Sequence, residues 1–205
     1  MFLCLLVAAS VCLSTIRARD AEQWKYRRLT IVVQTSGAHR PHALALIELL
    51  NRLANIKPAD VSVEMFGFEE GFRHAAEGRF KRKPALLLSE TRDREALREA
   101  AGDLVFSGPS PVYDALTEAL SAAAQGREAA VLLVSNGIDN ASGSPFDEVA
   151  RRVEKASIPI IAFYFPTNPP QGGDSRLRKL ARVSGGCFID VRARDSWDRL
   201  LSALR

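Results

Sequence analysis

Cysteine is scarce. The chain has three in 205 residues, no two of them in a CxxC pair, too few for a disulfide framework. Histidine is as rare, at His39, His42 and His74. His39 and His42 are three apart and could share a helix face, yet no Cys, Asp or Glu in the next turn completes a tetrahedral metal site. They are expected to be solvated residues near a helix start. A phosphate-cradling G-x-x-x-x-G-K is missing, as is a dinucleotide-binding G-x-G-x-x-G. The nucleophile-elbow pattern also fails, because Gly108-Pro109-Ser110-Pro111-Val112 lacks the closing glycine. Charge of one sign is not in great excess. Twenty-eight Lys and Arg against 24 Asp and Glu give +4, enough for solubility and weak attraction to anionic surfaces and no more. What is present is ordinary for a globular protein, 47% hydrophobic and 25% charged, which excludes a disordered or fibrous chain. A chain of this length buries roughly 70% of its unfolded surface and needs no staples.

The first sixteen residues stand apart. Met1 to Ile16 carries no charged side chain, and Arg17, Arg19 and Asp20 end the run. It falls short of the roughly 20 apolar residues of a transmembrane helix and suits a signal-peptide core, although no Lys or Arg precedes it and no clean small-x-small cleavage site follows. The expected organisation is an apolar leader with linker over 1–27 and one domain over 28–205. The leader implies an exported protein, periplasmic or extracellular, touching a membrane only through that segment.

From Arg28 onward strands and helices alternate. Leu29 to Gln34 is a β-branched run broken by Thr35-Ser36-Gly37. Pro41 to Ala54 reads as a helix with Ala43, Leu46, Ile47, Leu50, Leu53 and Ala54 on one face; Leu44, Ala45 and Leu49 widen it, predicting deep burial. Val61–Phe68 and Pro84–Ser89 are strands, and the basic excursion between them, with Arg79, Phe80, Lys81, Arg82 and Lys83, reads as an exposed loop. Thr91–Ala101 is a charged helix. Ser110 followed by Pro111 predicts an N-cap and first helical position for a helix reaching about Ala124, and Ser144-Pro145 repeats the signal. The continuous apolar run Ala129–Ser135 suits a central parallel strand covered on both faces. Ile158–Phe165 and Cys187–Val191 are strands, separated by a short helix around Leu177, Leu180 and Ala181. Trp197, Leu200, Leu201 and Leu204 line a last helix. Six strands alternating with helices predict a doubly wound, mostly parallel α/β sheet with helices on both faces and one antiparallel edge strand. Ligands on such sheets bind beyond the carboxyl ends of the strands, which directs attention to 34–40, 107–111 and 135–144.

Those segments read QTSGAHR, SGPSP leading into VYDAL, and SNGIDNASGSP. In that order they resemble the von Willebrand factor type A (vWA) family, which carries D-x-S-x-S after its first strand, a threonine ahead of a Y-D-A-L stretch, and T-D-G-x-D-N after its central strand. EVARRVEKASIPIIAFYF and LRKLARVSGGCFIDV are similar to later segments of that family, so the resemblance covers about 28–205 and is closest to bacterial, often exported members. It implies a Rossmann-like fold and a metal-ion-dependent adhesion site, in which hydroxyls and carboxylates hold a divalent cation.

At that site the chain departs from the family. Gln34 stands for the first aspartate, Ser36 keeps the first serine, Ala38 replaces the second serine, Ser110 replaces the threonine, and Asn136 replaces the aspartate of the T-D-G stretch. Asp139 matches an aspartate that is more often structural than a ligand. Mg²⁺ wants hard oxygen ligands and anionic charge, whereas amides bring NH₂ donors as well as oxygens. The expectation is therefore no metal and no other cofactor, with Mg²⁺ disfavoured. Two readings of the rim stand: loops closing a vestigial site, or a surface binding a partner through neutral hydrogen bonds. The whole predicts a non-enzymatic protein-binding module with no small-molecule substrate and no nucleic acid. Alternatives are a working adhesion domain with weak Mg²⁺ binding, and a hydrolase using Ser36 or Ser110, which would need a base held by a third group. Cys187 reads as a small apolar residue at a strand start, with a redox role as the alternative if it is exposed and acidified; the 79–83 cluster reads as a solvated loop, with a nucleic-acid or anionic-lipid contact as a third alternative function.

Overall fold

A computed structural model describes residues 23–68, 84–167 and 171–205. The leader and the 79–83 cluster lie outside these residues, as does His74. Strand β1 (Arg28–Val33) is followed by a 3-10 segment (Gly37–His42), α1 (Ala43–Ile56), β2 (Ser62–Phe68), β3 (Pro84–Thr91) and α2 (Arg94–Gly102). Then come α3 (Val112–Ala123), β4 (Ala129–Ser135), α4 (Phe146–Ala156), β5 (Ile160–Tyr164), α5 (Gly173–Val183), β6 (Cys187–Asp190) and α6 (Ser196–Leu204). One sheet holds all six strands in the order β3-β2-β1-β4-β5-β6. Among the described strands only β3 is antiparallel, at the edge against β2; the other neighbours run parallel. This is the predicted doubly wound sheet with its antiparallel edge strand.

The period-two alternation of strands sorts side chains between two cores. Leu29, Ile31 and Val33 of β1 join Leu132 and Val134 of β4 under α1, α2 and α6. Val32, Val131 and Leu133 face the other way, beneath α3, α4 and α5. β4 is apolar from Ala129 to Val134 because it faces both layers, as its sequence predicts. Trp24 is buried in the first core, and the Lys25 N–H donates to Leu204 O at 2.9 Å. The packed body thus begins ahead of β1. Among the described residues no helix is long and apolar enough to cross a membrane.

Several local expectations need correction. α1 is not apolar-buried all round: Leu49 joins Leu46, Leu50, Leu53 and Ala54 in the core, but Leu44 is 85% exposed and Ala45 is exposed too, because they lie on the side away from the sheet. The helix is also preceded by a 3-10 turn rather than starting at Pro41. β3 runs on to Thr91, so α2 starts at Arg94, capped by Asp93, whose side chain accepts from the Glu95 N–H at 2.8 Å. The caps of α3 and α4 are Pro111 and Pro145, one residue later than predicted, and neither Ser110 nor Ser144 caps through its hydroxyl.

Candidate functional site

β1 and β4 pair in parallel with Val33 opposite Val134, so Gln34-Thr35-Ser36 and Ser135-Asn136-Gly137 leave the sheet side by side. The 107–111 segment is laced over them: Ser107 N donates to Thr35 O and Gly37 N to Gly108 O, both at 3.0 Å. Thr35 Oγ1 accepts from Phe68 N at 2.9 Å and ties the loop to β2.

Gln34 is the hub of this rim and is only 1% exposed. Its Oε1 accepts from Ser135 Oγ at 2.6 Å and from Asn136 N at 2.9 Å. Its Nε2 donates to Ser110 Oγ at 2.6 Å and to Ser36 Oγ at 3.1 Å. A backbone N–H can only donate, so the Asn136 bond fixes which end of the amide is oxygen. Both donors and both lone pairs of the side chain are thereby occupied. Ser135 Oγ accepts from Gly137 N at 2.9 Å, which leaves its proton for Gln34.

Of the six rim positions read from sequence, Gln34, Ser36, Ser110 and Asn136 come together in this buried network. Ala38 is exposed and contributes no polar atom. Asp139 does another job. Its Oδ2 accepts from Tyr113 N at 2.9 Å at the start of α3, and its Oδ1 from Ser142 N at 3.0 Å. Ser142 Oγ in turn bonds Asp139 and accepts from Tyr113 N and Asp114 N. Asn140 Oδ1 takes Ser110 N at 2.7 Å. These groups satisfy the N–H groups at the α3 start that Ser110 was expected to cap. Asp139 shapes the 139–144 loop through both of its oxygens.

Asn136 Oδ1 accepts from Ile138 N at 2.9 Å, while its Nδ2 is buried and has no partner. The loop there is pressed against the start of α5: a Cβ on Gly137 (φ +73°) would fall 2.2 Å from Gly173 O, and one on Gly173 2.0 Å from Asn136 O. Only glycine fits at either position.

His39 overturns the solvated reading. It is fully buried, with neither ring nitrogen partnered, against His42 and Phe165 at centroid distances of 5.8 and 5.9 Å. Desolvation, with His42 adding repulsion, lowers its pKa to about 3. His42 Nε2 bonds Pro166 O at 3.1 Å. Tyr113 lies beside the rim; burial raises its pKa, against the opposing pull of Arg176, whose Nη1 donates to the phenol oxygen at 3.2 Å. Cys187 begins β6 half-buried, and its thiol pKa is raised by burial. Sequence reasoning missed Ser135 and the capping pair Asn140 and Ser142. The signal available was the density of Ser, Asn and Asp after β4, residue types that bond nearby backbone.

No family model and no curated protein matches the sequence. Solved structures do. BatB, a conserved hypothetical protein from Bacteroides thetaiotaomicron, superposes with a TM-score of 0.61 at 12% identity, over 85% of this chain and 95% of that one. Manganese-loaded Plasmodium vivax TRAP protein gives 0.60 at 16%, over 88% and 72%. A von Willebrand factor type A protein from Catenulispora acidiphila gives 0.59 at 18% over 86% of this chain, which spans only 41% of that longer one. At these identities the likeness is one of fold, and the fold of this chain is vWA-like.

Proposed function

We propose that this chain is a non-enzymatic protein-binding module of vWA type, exported by its leader, whose divalent-metal site is disabled and whose rim at 34–40, 107–111 and 135–144 meets a protein partner without a cation. The observation that carries the reading is the Gln34 amide. Its NH₂ points at the two hydroxyl oxygens, Ser36 and Ser110, that would ligate a cation. A cation between those hydroxyls would face N–H protons instead of carboxylate charge. Asp139, the one carboxylate among the rim positions, is engaged by the 139–144 loop and α3. The residues present do not fit Mg²⁺. A hydrolase is disfavoured on the same ground, because the partner of both serine hydroxyls is an amide that cannot act as a base.

The test is thermal unfolding of the full chain in EDTA and then with Mg²⁺, Mn²⁺ or Ca²⁺. A cation at 100 times its dissociation constant stabilises by about 2.7 kcal/mol, a rise of roughly 5 to 10 °C for a chain of this size. The expected rise is nil. A rise that Ser36→Ala abolishes would overturn the proposal and restore a working metal-dependent adhesion domain.

A further inference from the structure

The chain's whole charge imbalance sits in residues 171–205, which hold eight Lys and Arg against four Asp and Glu; the remainder carries twenty of each. Half of those eight cations are on α5: Arg176, Arg178, Lys179 and Arg182. Between α5 and the edge strand β6 runs a groove of about 610 Å³, lined by Arg178, Lys179, Arg182, Gly186, Cys187 and Phe188 among others. The Arg178 guanidinium lies over the Phe188 ring, 3.9 Å from its centroid. Stacking holds the planar group while its N–H edge stays able to donate to oxygen. Its acidic neighbour Asp174 is 3.7 Å away at an exposed site. Arg182, four residues on, projects from the same helix face and has no ion-pair partner among the described residues. Lys179 bonds Asp147 at 3.2 Å. The acid of β6, Asp190, is gripped by Arg192 through both its oxygens, and Arg199 Nη2 donates to Phe188 O at 3.1 Å. The groove is therefore positive, with an aromatic wall.

We propose that this groove docks an extended acidic segment of a partner protein, one carboxylate on Arg178 and the next on Arg182. The spacing favours alternate acids. Residues i and i+4 of a helix stand about 6 Å apart, and residues i and i+2 of an extended chain about 6.6 Å. Among the described residues β6 ends the sheet, so an extended chain can run alongside it. This surface is distinct from the rim, and the proposal does not rest on the metal-free reading.

A fluorescent peptide alternating Glu and Ser, with a Gln-for-Glu twin as control, is titrated into the full chain and followed by anisotropy. The Glu peptide binds and the Gln twin does not, binding falls as salt rises, and Arg178→Glu with Arg182→Glu weakens it by about tenfold or more. The exposed pair Arg92→Glu with Arg127→Glu makes the same charge change away from α5, one of them at the opposite sheet edge, and changes affinity less than about twofold. Failure of the Glu peptide to bind, or equal loss from both charge reversals, overturns the proposal. So does tighter binding of phosphatidylserine vesicles or of a single-stranded oligonucleotide, lost in the groove variant, which would assign the groove to lipid or nucleic acid.

Discussion

One face of β1 carries a polar cluster at each end, and the two are built on opposite principles. At the start of the strand, Glu64 of β2 is a carboxylate only 5% exposed. It accepts from Arg28 Nε at 3.2 Å, from Arg28 Nη2 at 3.1 Å and from Thr30 Oγ1 at 2.6 Å. At the end of the same face, past Val32, Gln34 makes four hydrogen bonds and carries no charge. A buried carboxylate is tolerable where a guanidinium and a hydroxyl meet it; without a cation the neutral amide is the side chain that can be fully satisfied. In the vWA pattern the position of Gln34 holds an acid that leans on a metal. Here the charge is absent, and on the reading proposed above the need for a metal goes with it.

The strongest way to break this contrast is to strip the cation from the charged end. Arg28→Met leaves Glu64 buried without a counter-charge and is expected to cost about 3 kcal/mol, read by urea unfolding at neutral pH. The double variant Arg28→Met, Glu64→Leu recovers most of the loss. A single variant as stable as the parent would show that Thr30 and solvent suffice.

Next in size is the reverse experiment, placing a charge at the neutral end. Gln34→Glu puts a carboxylate oxygen where the NH₂ meets Ser36 and Ser110. Both hydroxyls can turn to donate to it, yet no cation compensates, and a loss of about 2 to 3 kcal/mol in EDTA is expected. Millimolar Mg²⁺ should restore part of it, while leaving the parent unmoved. A variant indifferent to Mg²⁺ would show that Ala38 and Asn136 also have to revert.

His39 separates the rim from the charged end by pH. Its folded pKa of about 3 lies below the ordinary 6.5, so below pH 6.5 the unfolded chain binds a proton that the folded chain refuses. Stability is full above 6.5 and falls as pH drops from 6.5 toward 3, by about 2 kcal/mol at pH 5. His39→Phe, which keeps the contact with Phe165, should flatten that limb between pH 7 and 5. An unchanged acid limb would assign it to the carboxylates.

How far these features could be read in the sequence depended on whether their partners were local. Ala129–Ser135 declared a central strand because both of its faces are covered, a property of the run itself. The hydroxyl of Ser110 looked like a cap because Pro111 follows it, yet its partner is Gln34, 76 residues earlier. His39 sits among Arg40, Pro41 and His42, a polar-looking stretch, and is buried by Phe165 from the end of β5. Leu44 lies on an apolar helix, but nothing local says that the sheet lies on its other side. The resemblance named six rim positions, of which Gln34, Ser36, Ser110 and Asn136 meet and Ala38 and Asp139 stand apart. The closed ring of bonds around Gln34 was not legible, since it needs the β1–β4 register.

The smallest expected effect tests that ring bond by bond. Ser110→Ala removes the 2.6 Å acceptor of a buried amide proton, and Ser36→Ala the 3.1 Å one. An unmet buried donor costs about 1 kcal/mol at the least, so Ser110→Ala should lose about that much and Ser36→Ala, at the longer bond nearer the loop, less. If the hydroxyls serve Gln34 alone, both losses are the same with and without Mg²⁺ and are not additive, because a Gln34 freed on one side can re-aim its NH₂ at the other. A double-mutant cycle in EDTA and in Mg²⁺ reads both properties at once. Strict additivity with a Mg²⁺-dependent size would mean that the hydroxyls act as separate ligands, and the neutral end of β1 would then differ from the charged end only in which cation it uses.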